Sequence, residues 1–371
     1  MTISENQVKE LLQQVIHPAS GRNIVEAGIV KNVTVQDNKT VVVLNFENAN
    51  DPLRNSIKRA CEVVLKDTLQ GVSETEVIIN QEQRTSSENS SSEILPTVKN
   101  IVAIASGKGG VGKSTVAVNL AVAFAKAGFR TGLIDADIFG PSVPKMLKVE
   151  NSKPYAHKVN GRDLIIPVEQ YGVKVLSIGF FVDHEDATIW RGPMASNALK
   201  QLMTDADWGE LDYMFIDLPP GTSDIHLTLV QTVPVTGAVI VSTPQNVALA
   251  DVVKGINMFA NENINVPVLG LIENMSWFTP EELPDKKYFL FGRDGCKNLA
   301  ARLNVPFLGQ IPIVQSIMEA GDEGMPSVLK NDLASEAFKS IADNLVIQVT
   351  KRNSELNPTE KVTIVHGKKH F

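Results

Sequence analysis

A chain of 371 residues, 43% hydrophobic and 21% charged, has the composition of a soluble globular protein with a sizeable core, and its length favours two units over one. The net charge of −7 gives no overall basic excess toward nucleic acid, no apolar run is long enough to span a membrane, and the polar start "MTISENQVKELLQQVIH" lacks the pattern of a signal peptide. Two cysteines, Cys61 and Cys296, cannot make a disulfide framework, so a reducing cytoplasm is the expected compartment.

The first segment, residues 1–80, reads as a small α+β domain. A helix is expected over Ser4–Val15, and strands over Ile24–Val35 and Thr40–Phe46, with a hairpin turn at Asp37-Asn38. A second helix is expected over Leu53–Leu69, where Ile57, Cys61 and Val64 share a face, and a last strand over Glu76–Asn80. Cys61 on that face reads as a core residue. Residues 81–97, with "QEQRTSSENSSSEILP", are rich in Ser, Glu, Asn and Gln. They bury too little to offset their ordering entropy and read as a flexible linker.

Residues 98–350 alternate apolar strands with helices. "NIVAIA", "TGLIDAD", "KVLSIGF", "YMFIDLP", "GAVIVST" and "VLGLIEN" are nearly continuous in apolar character, as strands buried on both faces are. Helices are expected between them, among others over Ala195–Met203 and Val247–Asn261. The pattern predicts a doubly wound, mostly parallel α/β sheet with its ligand at the carboxyl ends of the strands. Residues 351–371 read as a polar tail.

Between the first strand and helix of this unit, Gly107 to Ser114 completes G-x-x-x-x-G-K-[ST]. Gly107, Gly109, Gly110 and Gly112, with Lys108, Val111 and Thr115 beside them, let backbone N–H groups converge on phosphate oxygens at a helix N-terminus. Lys113 is expected on the β- and γ-phosphates, and Ser114 on Mg²⁺. Asp217 ends the strand "YMFID" and is placed to hold Mg²⁺ through its water shell. Gly221 and Thr222 in the following "LPPGTSD" suit a γ-phosphate sensor. Asp135 and Asp137 end another strand, where one can reach Mg²⁺ and the other the attacking water. The alternative for either is a turn or helix-cap aspartate. Arg191 in "WRGPM" fits a contact to nucleotide or partner as well as a structural ion pair.

The motif leaves Lys108 unexplained. "KGGVGKST" resembles the deviant Walker A motif of the MinD/ParA/nitrogenase-iron-protein class of ATPases. That resemblance implies a homodimer that sandwiches ATP, with Lys108 reaching the partner's phosphates as an arginine finger does in trans. It also implies Asp137 as the water-orienting residue and Asn274 of "LIENM" as the reader of the adenine base. Within the class, "LIDADIFGPSVPKML", "WRGPM", "DLPPGTSD", "ENMSWF", "LGQIPI" and "GDEGMP" resemble, in order, the Mrp/ApbC iron–sulfur cluster carriers. The N-terminal segment is similar to the small module fused to such carriers. The resemblance implies an ATPase that assembles or transfers clusters to apo-proteins with assembly factors as partners, and no role for nucleic acid or membrane. A ParA/MinD-like positioning switch and a cluster-free assembly scaffold are the alternatives.

One departure stands out. The family carries a Cys-x-x-Cys pair after "ENMS", where two subunits share a bridging [4Fe–4S] cluster. Here "ENMSWFTPEELPDKKYFLFGRDGC" places Thr279, Pro280 and Leu283 in that neighbourhood. Cys296 is the remaining cysteine nearby. At an expected helix start, it is read as a lowered-pKa thiol and candidate iron ligand, with a buried cysteine on a helix packed against the sheet as the alternative.

Overall fold

The computed structural model describes residues 4–16, 22–36, 39–46, 54–68, 74–79, 94–137, 140–159, 162–181, 192–262, 264–280, 282–283, 286–359 and 361–362. The expected turn at Asp37-Asn38, most of the Ser-rich linker, Arg191 and the last nine residues lie outside them. The chain forms two compact units, Met1–Ser91 and Ser92–Phe371.

In the first unit, Ser4 accepts from the Gln7 N–H while the Gln7 side chain accepts from the Ser4 N–H, a reciprocal cap that starts α1 (Glu5–Leu12). Strands β1 (Val30–Gln36) and β2 (Lys39–Leu44) pair antiparallel, and α2 (Arg54–Thr68) carries the chain to β3 (Glu74–Ile79), parallel to β2. Val8, Leu12, Ile57, Cys61 and Leu65 from the helices meet Val33, Val42 and Val77 from the sheet. The expected strand over Ile24–Val35 is shorter than its apolar content suggests. Residues 24–28 form turns instead, closed by the Ile29 N–H donating to the Ile24 carbonyl at 3.0 Å.

The second unit is built on an eight-stranded sheet. Its strands are β4 (Val98–Ser106), β5 (Thr131–Asp135), β8 (Val168–Gln170), β9 (Val173–Ser177), β10 (Leu211–Asp217), β11 (Gly237–Ser242), β12 (Val268–Glu273) and β13 (Phe307–Gln310). They lie in the order β13-β12-β11-β4-β10-β5-β9-β8, all parallel except β8 at one edge. A separate antiparallel pair, β6 (Ala156–Val159) and β7 (Arg162–Ile165), precedes β8. Side-chain alternation along β4 sorts the two layers. Ile101, Ala103 and Ala105 face the layer of α5 (Gly192–Thr204), α6 (Asp224–Thr232), α7 (Asn246–Phe259) and α8 (Gly295–Leu303). Val102 and Ile104 face α3 (Lys113–Lys126) and α10 (Leu333–Glu355). Phe124 of α3 packs edge-on against Tyr213 and Phe215, with centroids at 4.6 and 5.0 Å. Two short helices, α4 (Val143–Met146) and α9 (Gln315–Glu323), lie at the carboxyl-end rim, and α10 runs five residues past the expected start of the tail. Among the described residues, no helix is long and apolar enough to cross a membrane.

Candidate functional site: a phosphate loop ringed by carboxylates

The central strand β4 has β11 on one side and β10 on the other, so the crevice at its carboxyl end is the topological switch point. The loop Gly107–Gly112 fills that crevice. Gly110 and Gly112 hold φ of 79° and 81°, a left-handed conformation that turns successive N–H groups inward. A Cβ on Gly112 would collide with the side-chain amide of Asn274, and one on Gly107 would run into the backbone of Asp251 on α7. The loop is therefore a cradle that larger residues would fill, and it opens straight into the N-terminus of α3.

Lys113, the first residue of α3, is buried and donates to Asp217 Oδ1 at 2.6 Å and to Ser114 Oγ at 3.3 Å, with Asp137 Oδ2 4.0 Å away. Asp135 and Asp217 are register partners on adjacent parallel strands. Asp135 accepts from Ser177 Oγ at 2.9 Å and from the Asp137 N–H at 3.1 Å. Burial, and then the charge of Asp217, pushes the Asp135 carboxyl up to about 8. Burial also raises Asp217, with Lys113 opposing the shift. Asp217 Oδ2 is buried with no hydrogen-bond partner among the described residues. Such an orphaned carboxylate oxygen, beside a serine hydroxyl and a second carboxylate, fits the hard-oxygen environment of Mg²⁺. Among the described residues no three His, Cys, Asp or Glu side chains converge as metal ligands.

The chain beyond Asp217 folds back on the loop. The Gly221 N–H donates to the Ser106 carbonyl at 2.9 Å, which brings Pro220 beside Gly109. Ser223 and His226 then cap α6, with the Ser223 N–H donating to His226 Nδ1 at 3.2 Å. Lys108 is half-buried, and its Nζ donates to Gln245 Oε1 of the same chain at 3.4 Å. Asn274 follows β12 and is buried. Its Nδ2 donates to the Val111 carbonyl at 2.8 Å, and its Oδ1 accepts from the Met275 N–H at 2.9 Å. A cavity of about 910 Å³ opens beside it, lined by Thr115, Met275, Pro312 and Ile313 among others.

The structure thus brings Lys108, Lys113, Ser114, Asp135, Asp137, Asp217 and Asn274 around one loop. Sequence reading missed Gln245, which holds Lys108, and Ser177, which holds Asp135.

Cys296 requires a correction. It lies in the first turn of α8, as expected, but its side chain is fully buried. Its N–H donates to Glu273 Oε2 at 2.7 Å, and its Sγ lies 3.8 Å from the Thr243 carbonyl. Burial, and then the Glu273 carboxylate, pushes the thiol up to about 12. The helix terminus does not yield a lowered thiol here, because the dipole acts on a carboxylate already seated there. Gln310 completes this network by donating to Glu273 Oε1 at 2.7 Å and Asp294 Oδ1 at 3.0 Å. The nearby positions Thr279 and Pro280 lie in a loop closed by backbone pairing of Phe278 with Tyr288 and supply no thiolate.

Residues 97–346 match the family described as NUBPL iron-transfer P-loop NTPase, and residues 5–79 match that of an iron–sulfur cluster assembly protein. An iron–sulfur cluster carrier protein of Synechocystis is 40% identical over 350 residues, covering 94% of this chain and 98% of the relative. A carrier protein of the same description from Escherichia coli K12 is 45% identical over 254 residues, covering 68% of this chain and 67% of the relative. A nucleotide-binding protein from Archaeoglobus fulgidus, solved in complex with ADP, aligns with a TM-score of 0.56 and 36% identity over 64% of this chain and 92% of its own.

Proposed function

The chain belongs to the NUBPL iron-transfer P-loop NTPase family, and on that premise we propose that it is an ATP-hydrolysing iron–sulfur cluster carrier, which assembles clusters or passes them to apo-proteins as a homodimer. The observation that carries the nucleotide chemistry is Lys113, buried among Asp217, Asp137 and Ser114 at the mouth of a glycine cradle. A triphosphate offers Lys113 a stronger anionic partner than its present carboxylate, and exchange between the two releases Asp217 to face the cation. Mg²⁺ supplies neutralisation of charge on the β- and γ-phosphates, and Ser114 and Asp217, with Asp135 behind them, are the residues to hold it. Asp137 orients the attacking water. Lys108, on leaving Gln245, brings a second positive charge to the partner subunit's phosphate. Asn274, fixed to the loop by one amide hydrogen, retains another to meet the base.

The iron–sulfur cluster is cargo, and the thiolates of this chain do not fit it. Four thiolates are the usual complement of a [4Fe–4S] cluster. The pair expected after "ENMS" is replaced, Cys296 is sealed in the core with a raised pKa, and Cys61 is a buried residue of the other unit. This favours a second reading, a nucleotide-dependent scaffold that assists transfer without ligating the cluster through its own cysteines. One experiment addresses both. Cluster insertion into an apo-ferredoxin from a loaded donor is followed anaerobically with MgATP, alongside iron counts on reconstituted wild type and Cys296→Ser. Under the carrier reading, wild type accelerates insertion and Lys113→Ala does not, while the cysteine variant loads as wild type does. Acceleration without iron on the protein selects the scaffold. Insertion unaffected by wild type defeats both readings.

A further inference from the structure

Three neighbouring parallel strands end side by side in polar residues. Ser177 of β9 is the register partner of Asp135 on β5, and Asp135 is the register partner of Asp217 on β10. All three side chains are buried, and Asp217 continues the row to Lys113 at 2.6 Å. The two carboxylates sit at the candidate Mg²⁺ site. Ser177 lies outside every motif that marks that site, in the stretch "KVLSIGF".

A serine hydroxyl has one proton to donate and lone pairs with which to accept. Ser177 Oγ accepts from the Gly179 N–H at 3.0 Å and donates to Asp135 Oδ2 at 2.9 Å. The bond from Gly179 starts the short 3-10 turn Ile178–Phe180, and capping that turn is a sufficient reason for a serine here. It is not a reason for the donation to Asp135, because a cap needs only the oxygen. The other carboxylate oxygen, Asp135 Oδ1, accepts from the Asp137 N–H at 3.1 Å. Asp135 is thus held at both oxygens by neutral donors, while Lys113 bonds Asp217. Neutral donors fix the orientation of a carboxylate and leave its negative charge for a cation. A second buried carboxylate alongside raises the cost of that charge, and a divalent cation relieves it. The turn that anchors the Ser177 oxygen is itself tightly seated. A Cβ on Gly179 would meet the Pro141 side chain at 2.8 Å and Ser177 Oγ at 3.2 Å.

On the premise that the loop binds Mg-nucleotide, we infer that Ser177 is a positioning residue of the Mg²⁺ site, whose hydroxyl holds Asp135 in the orientation that serves the cation. The test uses the full-length chain and a fluorescent, non-hydrolysable ATP analogue. The analogue is titrated in EDTA, and Mg²⁺ is then titrated at fixed analogue. Ser177→Ala removes the donor to Asp135 and leaves the phosphate loop unchanged. Affinity for the metal-free analogue should change by less than about twofold, whereas the Mg²⁺ concentration for half-maximal response should rise about tenfold or more. Ser177→Cys keeps an acceptor and a weaker donor, so its half-maximal Mg²⁺ should lie between the two. If Ser177→Ala does not fold, a several-fold rise in Ser177→Cys decides the matter. A residue that only caps the turn would lower the melting temperature of both variants and leave the Mg²⁺ response of wild type, and that result overturns the inference. It is also overturned if metal-free affinity falls as far as the Mg²⁺ response does, because Ser177 then supports the loop and not the carboxylate. Wild-type binding that is indifferent to Mg²⁺ defeats the premise and the inference together, whereas an equal Mg²⁺ response in wild type and variants defeats the inference alone.

Discussion

Asn274 spends both halves of its amide on the protein's own backbone, one on Val111 inside the phosphate loop and the other on Met275. Its removal is therefore more than the loss of a base contact. In Asn274→Ala, the Val111 carbonyl loses its donor and the cradle its brace. Inorganic triphosphate, which has no base, should bind about tenfold more weakly, the scale of one buried hydrogen bond. ATP should weaken at least as much. Competition against a fluorescent nucleotide reads both. Triphosphate binding that is untouched while ATP binding falls would show that Asn274 serves the base alone. Lys113, Ser114, Asp135 and Asp217 were legible because a loop motif and strand-end carboxylates carry a pattern along the chain. Gln245 was not. It meets Lys108 across 137 residues of sequence, and a single polar residue after a strand has no periodicity to announce it. The lowered thiol expected of Cys296 fails for a related reason, and the buried alternative holds. Its helix start was visible, but the Glu273 carboxylate that occupies it arrives from 23 residues away.

At the scale of elements, the alternating apolar runs made the parallel sheet legible, since strands covered on both faces must be apolar throughout. The pair β6–β7 and the edge strand β8 were not legible. "AHKV", "RDLI" and "VEQ" are short, polar and largely uncovered, so no burial pattern marks them. The start of α6 shows how one cap ties an element to the site. His226 is buried in the first turn, and its Nδ1 accepts from Ser223 just after the Gly221–Thr222 turn. Burial, assisted by the charge of Lys113, lowers its pKa from 6.5 to about 4. Above 6.5 the imidazole is neutral in both the folded and the unfolded chain. As the pH falls from 6.5 through 4, the unfolded chain takes up a proton that the folded chain refuses, so stability is lost across that window. The loss amounts to about 3 kcal/mol at most. His226→Gln keeps an acceptor suited to the third position of a capping box and cannot titrate. Denaturant unfolding at pH 7 and pH 4.5 should show a smaller acid loss in the variant than in wild type. Equal losses would assign the acid sensitivity to other groups.

For the molecule as a whole, the proposed dimer makes a claim that one chain alone cannot satisfy. Lys108 rests on Gln245 of its own chain, while Asp137 lies 4.0 Å from Lys113 within the same loop environment. If Lys108 acts on the partner's nucleotide, each composite site takes Asp137 from one subunit and Lys108 from the other. Both Lys108→Ala and Asp137→Ala homodimers should then hydrolyse ATP poorly, because every site in each lacks one group. Mixing the two variants changes this. In a mixed dimer, one site draws intact Asp137 from the first subunit and intact Lys108 from the second, and the other site has neither. Random exchange at equal concentrations should restore about a quarter of wild-type turnover, since half the dimers are mixed and half their sites are whole. If Lys108 acts in cis, every site in the mixture keeps one defect and no activity returns. Phosphate release from the mixture, with mixed dimers verified by two affinity tags, separates the two arrangements. Activity no higher than the mean of the two variants would place Lys108 on its own subunit's nucleotide and remove the reason for a sandwiched pair of sites.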